Sequence, residues 1–134
     1  MAAQFTRWHP DLKIFALRFS NVMEPQDYVN FLSWQGDPEA RKWNLWGYID
    51  ARDGGQAVLR ALQSDRTGFD TFIIAAADTV MDIPSAELAA TVFPNVELAR
   101  PLEGFETLLG IQHARDVLGY EPEHFWRTEP GLTS

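Results

Sequence analysis

Two apolar runs, residues 13–19 and 69–77, constrain this chain most. Each is near-continuous rather than alternating, with Ile14, Ala16 and Leu17 in the first and Phe72, Ile73 and Ile74 at the centre of the second. Runs of that kind fit strands buried on both faces, as in a parallel sheet. Between them Ala57, Val58, Ala61 and Leu62 share one face of a helix expected over residues 53–64, with Asp53 as its N-cap. Strand, helix and second buried strand make an α/β pattern. The first run stops abruptly at Arg18, Ser20 and Asn21. Polar groups at the carboxyl end of a buried strand are where open α/β sheets present ligands.

The remaining pattern is consistent with one domain over residues 1–134. Residues 1–8 read as a helix broken at His9-Pro10-Asp11. Glu24-Pro25 opens a helical stretch carrying Tyr28, Phe31, Leu32 and Trp34, and Gly36-Asp37-Pro38 ends it. Residues 45–49 read as a short strand. Pro84-Ser85 starts a helix with Leu88, Ala89, Val92 and Phe93 on its apolar stripe, and Pro94 stops it. Residues 96–98 read as a short edge strand. Ile111, Ala114, Val117 and Leu118 mark a last helix, with Gly119 at the expected left-handed cap. The tail, residues 128–134, is expected to be disordered.

Charge and composition remove several classes of function. The formal net charge of -8 argues against general binding to nucleic acid or to anionic membranes, which require a basic face. A local arginine can still hold a phosphate. With no cysteine, disulfides, thiol catalysis and cysteine metal sites are excluded. No secretory leader is visible, and the longest apolar run is too short to span a bilayer. A cytoplasmic setting is the expectation.

Leu17-Arg18-Phe19-Ser20-Asn21-Val22 and Trp46-Gly47-Tyr48-Ile49-Asp50-Ala51-Arg52-Asp53 resemble two segments of the extended short-chain dehydrogenase/reductases, the NAD-dependent nucleotide-sugar epimerase/dehydratase family. The order continues with Ile83-Pro84-Ser85-x-Glu87-Leu88 and Ile111-x-x-Ala114-Arg115-x-x-Leu118-Gly119-Tyr120-x-Pro122. It closes at Phe125-Trp126-Arg127, so the resemblance covers residues 1–127. It implies the C-terminal part of a Rossmann-like parallel sheet with the small substrate-binding lobe. The family's G-x-x-G-x-x-G turn and its catalytic Tyr-x-x-x-Lys have no counterpart. Tyr28, Tyr48 and Tyr120 are the tyrosines and Lys13 and Lys42 the lysines, and no such pair forms. The expectation is therefore a substrate-binding portion that is inactive alone, with NAD or NADP belonging to the complete enzyme. Its expected partners are a nucleotide-sugar or related small molecule, a missing N-terminal half, or further copies of itself. The alternative is a stand-alone binding or interaction module derived from that family.

By this resemblance Asn21 reaches the sugar or phosphate of the substrate, and Arg100 the diphosphate. Ser20, Asn21 and Val22 lie on the nicotinamide side. An amide offers a donor and an acceptor, and a guanidinium fork suits phosphate. Trp46 either stacks on a base or sugar ring or packs in the core. Trp46-Gly47 replaces an Arg-Asp common in the family, so Arg41 and Lys42 are candidates for the lost positive charge. Arg18 reads as half of a structural ion pair, with a ligand contact as the alternative. His9, His113 and His124 are too scattered to predict a metal site.

Overall fold

A computed structural model describes residues 1–132. It is a mixed α/β chain with a small parallel sheet. Helix α1 (Ala2–Trp8) leads into strand β1 (Lys13–Phe19) and the short β2 (Val22–Met23). A 3₁₀ segment, Pro25–Trp34, follows in place of the expected α-helix. Then come β3 (Ile49–Asp50), α2 (Ala51–Gln63), β4 (Gly68–Ile74), α3 (Ser85–Val92) and α4 (Gln112–Leu118).

Strands β1 and β4 pair in parallel from Lys13 opposite Gly68 to Phe19 opposite Ile74. The two apolar runs are thus the sheet, as their composition predicts. β2 and β3 pair in parallel through Val22–Ile49 and Met23–Asp50. Phe15 and Leu17 pack with Phe72 and Ile74 against Ala57 and Ala61 of α2 and Ala114 and Leu118 of α4. Helix α2 runs back across β1. Lys13 Nζ donates to the carbonyls of Ala61, Leu62 and Ser64 at the end of α2, at 2.9, 3.0 and 2.8 Å. Gly54, near the start of α2, lies against the ring of Phe19. A cation on the last carbonyls of a helix satisfies orphan acceptors and opposes the dipole.

A second core is aromatic. Tyr28, Phe31, Trp46, Tyr48 and Trp126 cluster with Val80, Met81 and Leu88. It joins the 3₁₀ segment, the approach to β3, α3 and the C-terminal segment into one lobe beside the sheet.

Several expectations are corrected. The N-cap of α2 is Asp50, whose Oδ1 accepts from Arg52 N at 2.9 Å. Ala51 and Arg52 are good helix formers, so the helix starts earlier and Asp53 falls within its first turn. Residues 96–98 form no strand, having no strand edge beside them to pair with. The tail is ordered as far as it is described. Trp126–Thr128 is a 3₁₀ turn, Glu129 pairs with Arg52, and Leu132 packs on the aromatic core. Residues 133–134 lie outside the described residues. Leu45 and Trp46 take left-handed conformations, φ 53° and 56°, so the strand expected over 45–49 is confined to its end. Gly119 has the predicted left-handed cap, φ 68°. Among the described residues no helix is long and apolar enough to cross a membrane.

Candidate functional site

The carboxyl end of β1 opens into a cleft. Arg18, Phe19, Ser20 and Asn21 line a cavity of 290 Å³ together with Trp43, Asn44, Leu45, Ile73 and Leu109. β3 and β4 fix this end, because Ile49 N donates to the carbonyl of Asn21 at 2.9 Å and Ser20 N to that of Ile74 at 3.0 Å. The backbone of Asn21 is thus held while its side chain takes no partner among the described residues. The guanidinium of Arg18 is exposed and likewise unpaired among them. The expected structural ion pair does not form, since alternation along β1 turns Arg18 away from the core. Asn44 donates its Nδ2 hydrogen to Gly47 O at 3.1 Å, but its Oδ1 is buried without a donor.

A larger cavity of 460 Å³ adjoins it, sharing Leu45 and Leu109. Its walls are Ala89 of α3, Phe93 at the cap of that helix, and the irregular segment from Val96 to Gly110. Arg100 lines this cavity and a third one of 310 Å³ that also includes Leu109. Asn21 and Arg100 therefore stand on neighbouring cavities, and Leu109 lines all three. The left-handed pair Leu45-Trp46 lies at this wall. Strain of that kind persists where surrounding structure fixes it.

Arg100 is not a free cation. Its Nη1 and Nη2 donate to Glu106 Oε1 and Oε2, both at 2.9 Å. The side-chain bonds from Arg100 hold the Glu106 carboxyl below its usual range. Trp46 is fully buried, meets Phe93 edge-on and donates its indole N–H to Pro38 O at 2.8 Å. The structure thus places it in the core and not where a ring could stack on it. Val22, in β2, is largely exposed and outside the cleft lining. Lys42 pairs with Glu39. Arg41 stacks on Trp34 at 4.2 Å and lies 5.3 Å from the ring of Trp43, and burial pulls its guanidinium below the usual range.

Polar networks in the lobe were not legible in the sequence. Tyr28 and Arg52 both donate to the buried carboxylate of Asp50. Tyr48 donates to Asp78 Oδ1 at 2.6 Å and accepts from Trp126 N at 3.2 Å. Arg127 reaches Asp78 and the carbonyls of Thr79 and Met81. These groups fasten the C-terminal segment to the lobe. Burial, above all, raises both tyrosine hydroxyls far out of their usual range, so neither is poised for proton transfer at neutral pH. Among the described residues no group of three or more His, Asp or Glu is arranged to hold a metal ion.

No protein family, curated protein or solved structure matches this chain.

Proposed function

We propose that this chain is the substrate-binding portion of an NAD(P)-dependent epimerase/dehydratase of the extended short-chain type, taking a nucleotide-sugar. The observation that carries the reading is the convergence of Asn21 and Arg100 on cavities that share Leu109. In this reading Asn21 holds the sugar or its phosphate, and Arg100 exchanges Glu106 for the diphosphate. The small parallel sheet supports the carboxyl-terminal strands of a Rossmann-like sheet.

Among the described residues the start of α2 offers the dinucleotide no cradle. A diphosphate needs glycines and free N–H groups where a helix follows a strand. At the start of α2 stand Asp50 and Asp53, both buried carboxylates with their partners already in place. Ser20, Asn21 and Val22 are left to meet the nicotinamide end in the complete enzyme, and the cofactor's main site belongs to a missing N-terminal half. The Tyr-x-x-x-Lys pair is absent as well, so the chain is inactive alone. A stand-alone binding module is the second reading. It is favoured by the C-terminal segment, which Asp53 and Asp78 fasten back onto this chain's own lobe.

Calorimetric titration with UDP-glucose, NAD and NADP tests the proposal. UDP-glucose is expected to bind weakly, with Asn21→Ala and Arg100→Ala weakening it further and Arg66→Ala leaving it unchanged. A dissociation constant for NAD below about 10 μM, near −7 kcal/mol, would overturn the reading.

A further inference from the structure

The two cavities that share Leu45 and Leu109 differ in the polar side chains they offer. The larger one lies against α3 and is walled by Phe93, Val96, Leu98, Leu102 and Leu108. Its polar side chains are engaged: Arg100 holds Glu106, and Thr107 Oγ1 accepts from Leu109 N at 3.2 Å. A nucleobase, with donors and acceptors around its ring, would leave them unmatched there. A hydrocarbon chain or aryl ring would not, and the cavity is of ordinary ligand size. The smaller cavity is mixed and carries uncommitted polar side chains. Arg18 is its unpaired cation among the described residues, and the Asn21 amide is uncommitted.

We infer that this double cavity binds an amphipathic organic anion, its alkyl or aryl group against α3 and its carboxylate at Arg18 and Asn21. The anionic group belongs at Arg18 because Arg100, the cation of the larger cavity, is neutralised by Glu106. The inference does not rest on the nucleotide-sugar reading, and it competes with that reading for the same cavities.

The experiment is titration of the full chain with decanoate, decanol and UDP-glucose, followed by calorimetry. Decanoate is expected to bind saturably. Ala89→Phe, which fills the larger cavity, should weaken it by about tenfold or more. Arg18→Gln should weaken decanoate and leave decanol unchanged. Ala99→Trp narrows the cavity from its exposed rim and serves if Ala89→Phe does not fold. Absence of saturable decanoate binding overturns the inference, as does equal affinity in a folded cavity-filling variant. Decanoate binding without UDP-glucose binding upholds it and removes the nucleotide-sugar reading. UDP-glucose binding without decanoate does the reverse.

Discussion

Asp53 Oδ1 stands 2.8 Å from His124 Nδ1, joining the first turn of α2 to the C-terminal segment. The other oxygen of Asp53 accepts the backbone N–H groups of Glu123 at 3.1 Å and His124 at 3.0 Å. The carboxylate is almost wholly buried. Asp53→Ala would strand three donors and detach the segment that brings Trp126 into the aromatic core. The expected loss is about 2–4 kcal/mol, with a smaller loss for Asp53→Asn, which keeps one acceptor oxygen. Urea denaturation of the two variants measures it. A change within about 0.5 kcal/mol for Asp53→Ala would assign the residue no anchoring role.

Asp50 carries an acid dependence. Burial pushes its carboxyl upward, but hydrogen bonds from Arg52 and Tyr28 outweigh this and lower it from 3.8 to about 2. A carboxyl lowered by folding stabilises the fold at pH above its unfolded value and loses that contribution as pH falls toward its folded value. Stability should therefore drop between pH 3.8 and about 2. Asp78 works in the other direction, since desolvation raises its carboxyl despite Tyr48 and Arg127. Protonating Asp78 relieves a cost, so its part of the stability rises as pH falls. In acid titrations followed by circular dichroism, Asp50→Asn should flatten the loss and Asp78→Asn should steepen it. Identical acid limbs in wild type and Asp50→Asn would contradict the assignment.

The two long strands, their place in a parallel sheet and the left-handed glycine cap were legible, because each is dictated by a local run or a single residue type. Asn21 at a strand end was legible for the same reason. The cavity beside it was not. Leu98, Leu102, Leu108 and Leu109 have no period, so nothing in their spacing announces that an irregular segment folds back on Phe93 at the cap of α3. Trp46 misleads because indole serves both core and ligand, and only the left-handed turn at Leu45 decides which way it points. The tail reads as disordered because what holds it, Arg52 on Glu129 and the aromatic core under Leu132, lies far back in the sequence.

Self-association is expected through one side of the sheet. β1 pairs with β4 on one edge, and its other edge has no strand beside it among the described residues. Helix α2 lies across β1, and Val58, Leu59 and Leu62 are 42%, 53% and 70% exposed on its flank. An open strand edge with an apolar helix flank invites pairing with another copy. Light scattering should give a mass above that of the single chain at micromolar concentration. Val58→Lys with Leu62→Lys should return it to the monomer. A clean wild-type monomer would count against this surface.

Two glycines separate packing from backbone freedom. A Cβ at Gly47 would stand 2.5 Å from Leu109 Cδ1, 3.0 Å from Ser20 Oγ and 3.2 Å from Asn44 O. Gly47→Ala must therefore push Leu109 into the cavities it divides, and it presses on the carbonyl that receives the hydrogen bond from Gly47 N. Overpacking of this kind costs about 1–3 kcal/mol. Gly55, within α2, would meet nothing within 4 Å. Alanine there should raise stability by about 0.5–1 kcal/mol, since it removes the entropy cost of a helical glycine. Thermal melts of the two variants should move in opposite directions. Decanoate titration then distinguishes a local from a global effect. Gly47→Ala should weaken binding because Leu109 is the common wall, and Gly55→Ala should not. Unchanged binding in Gly47→Ala would mean that Leu109 swings aside without narrowing either cavity.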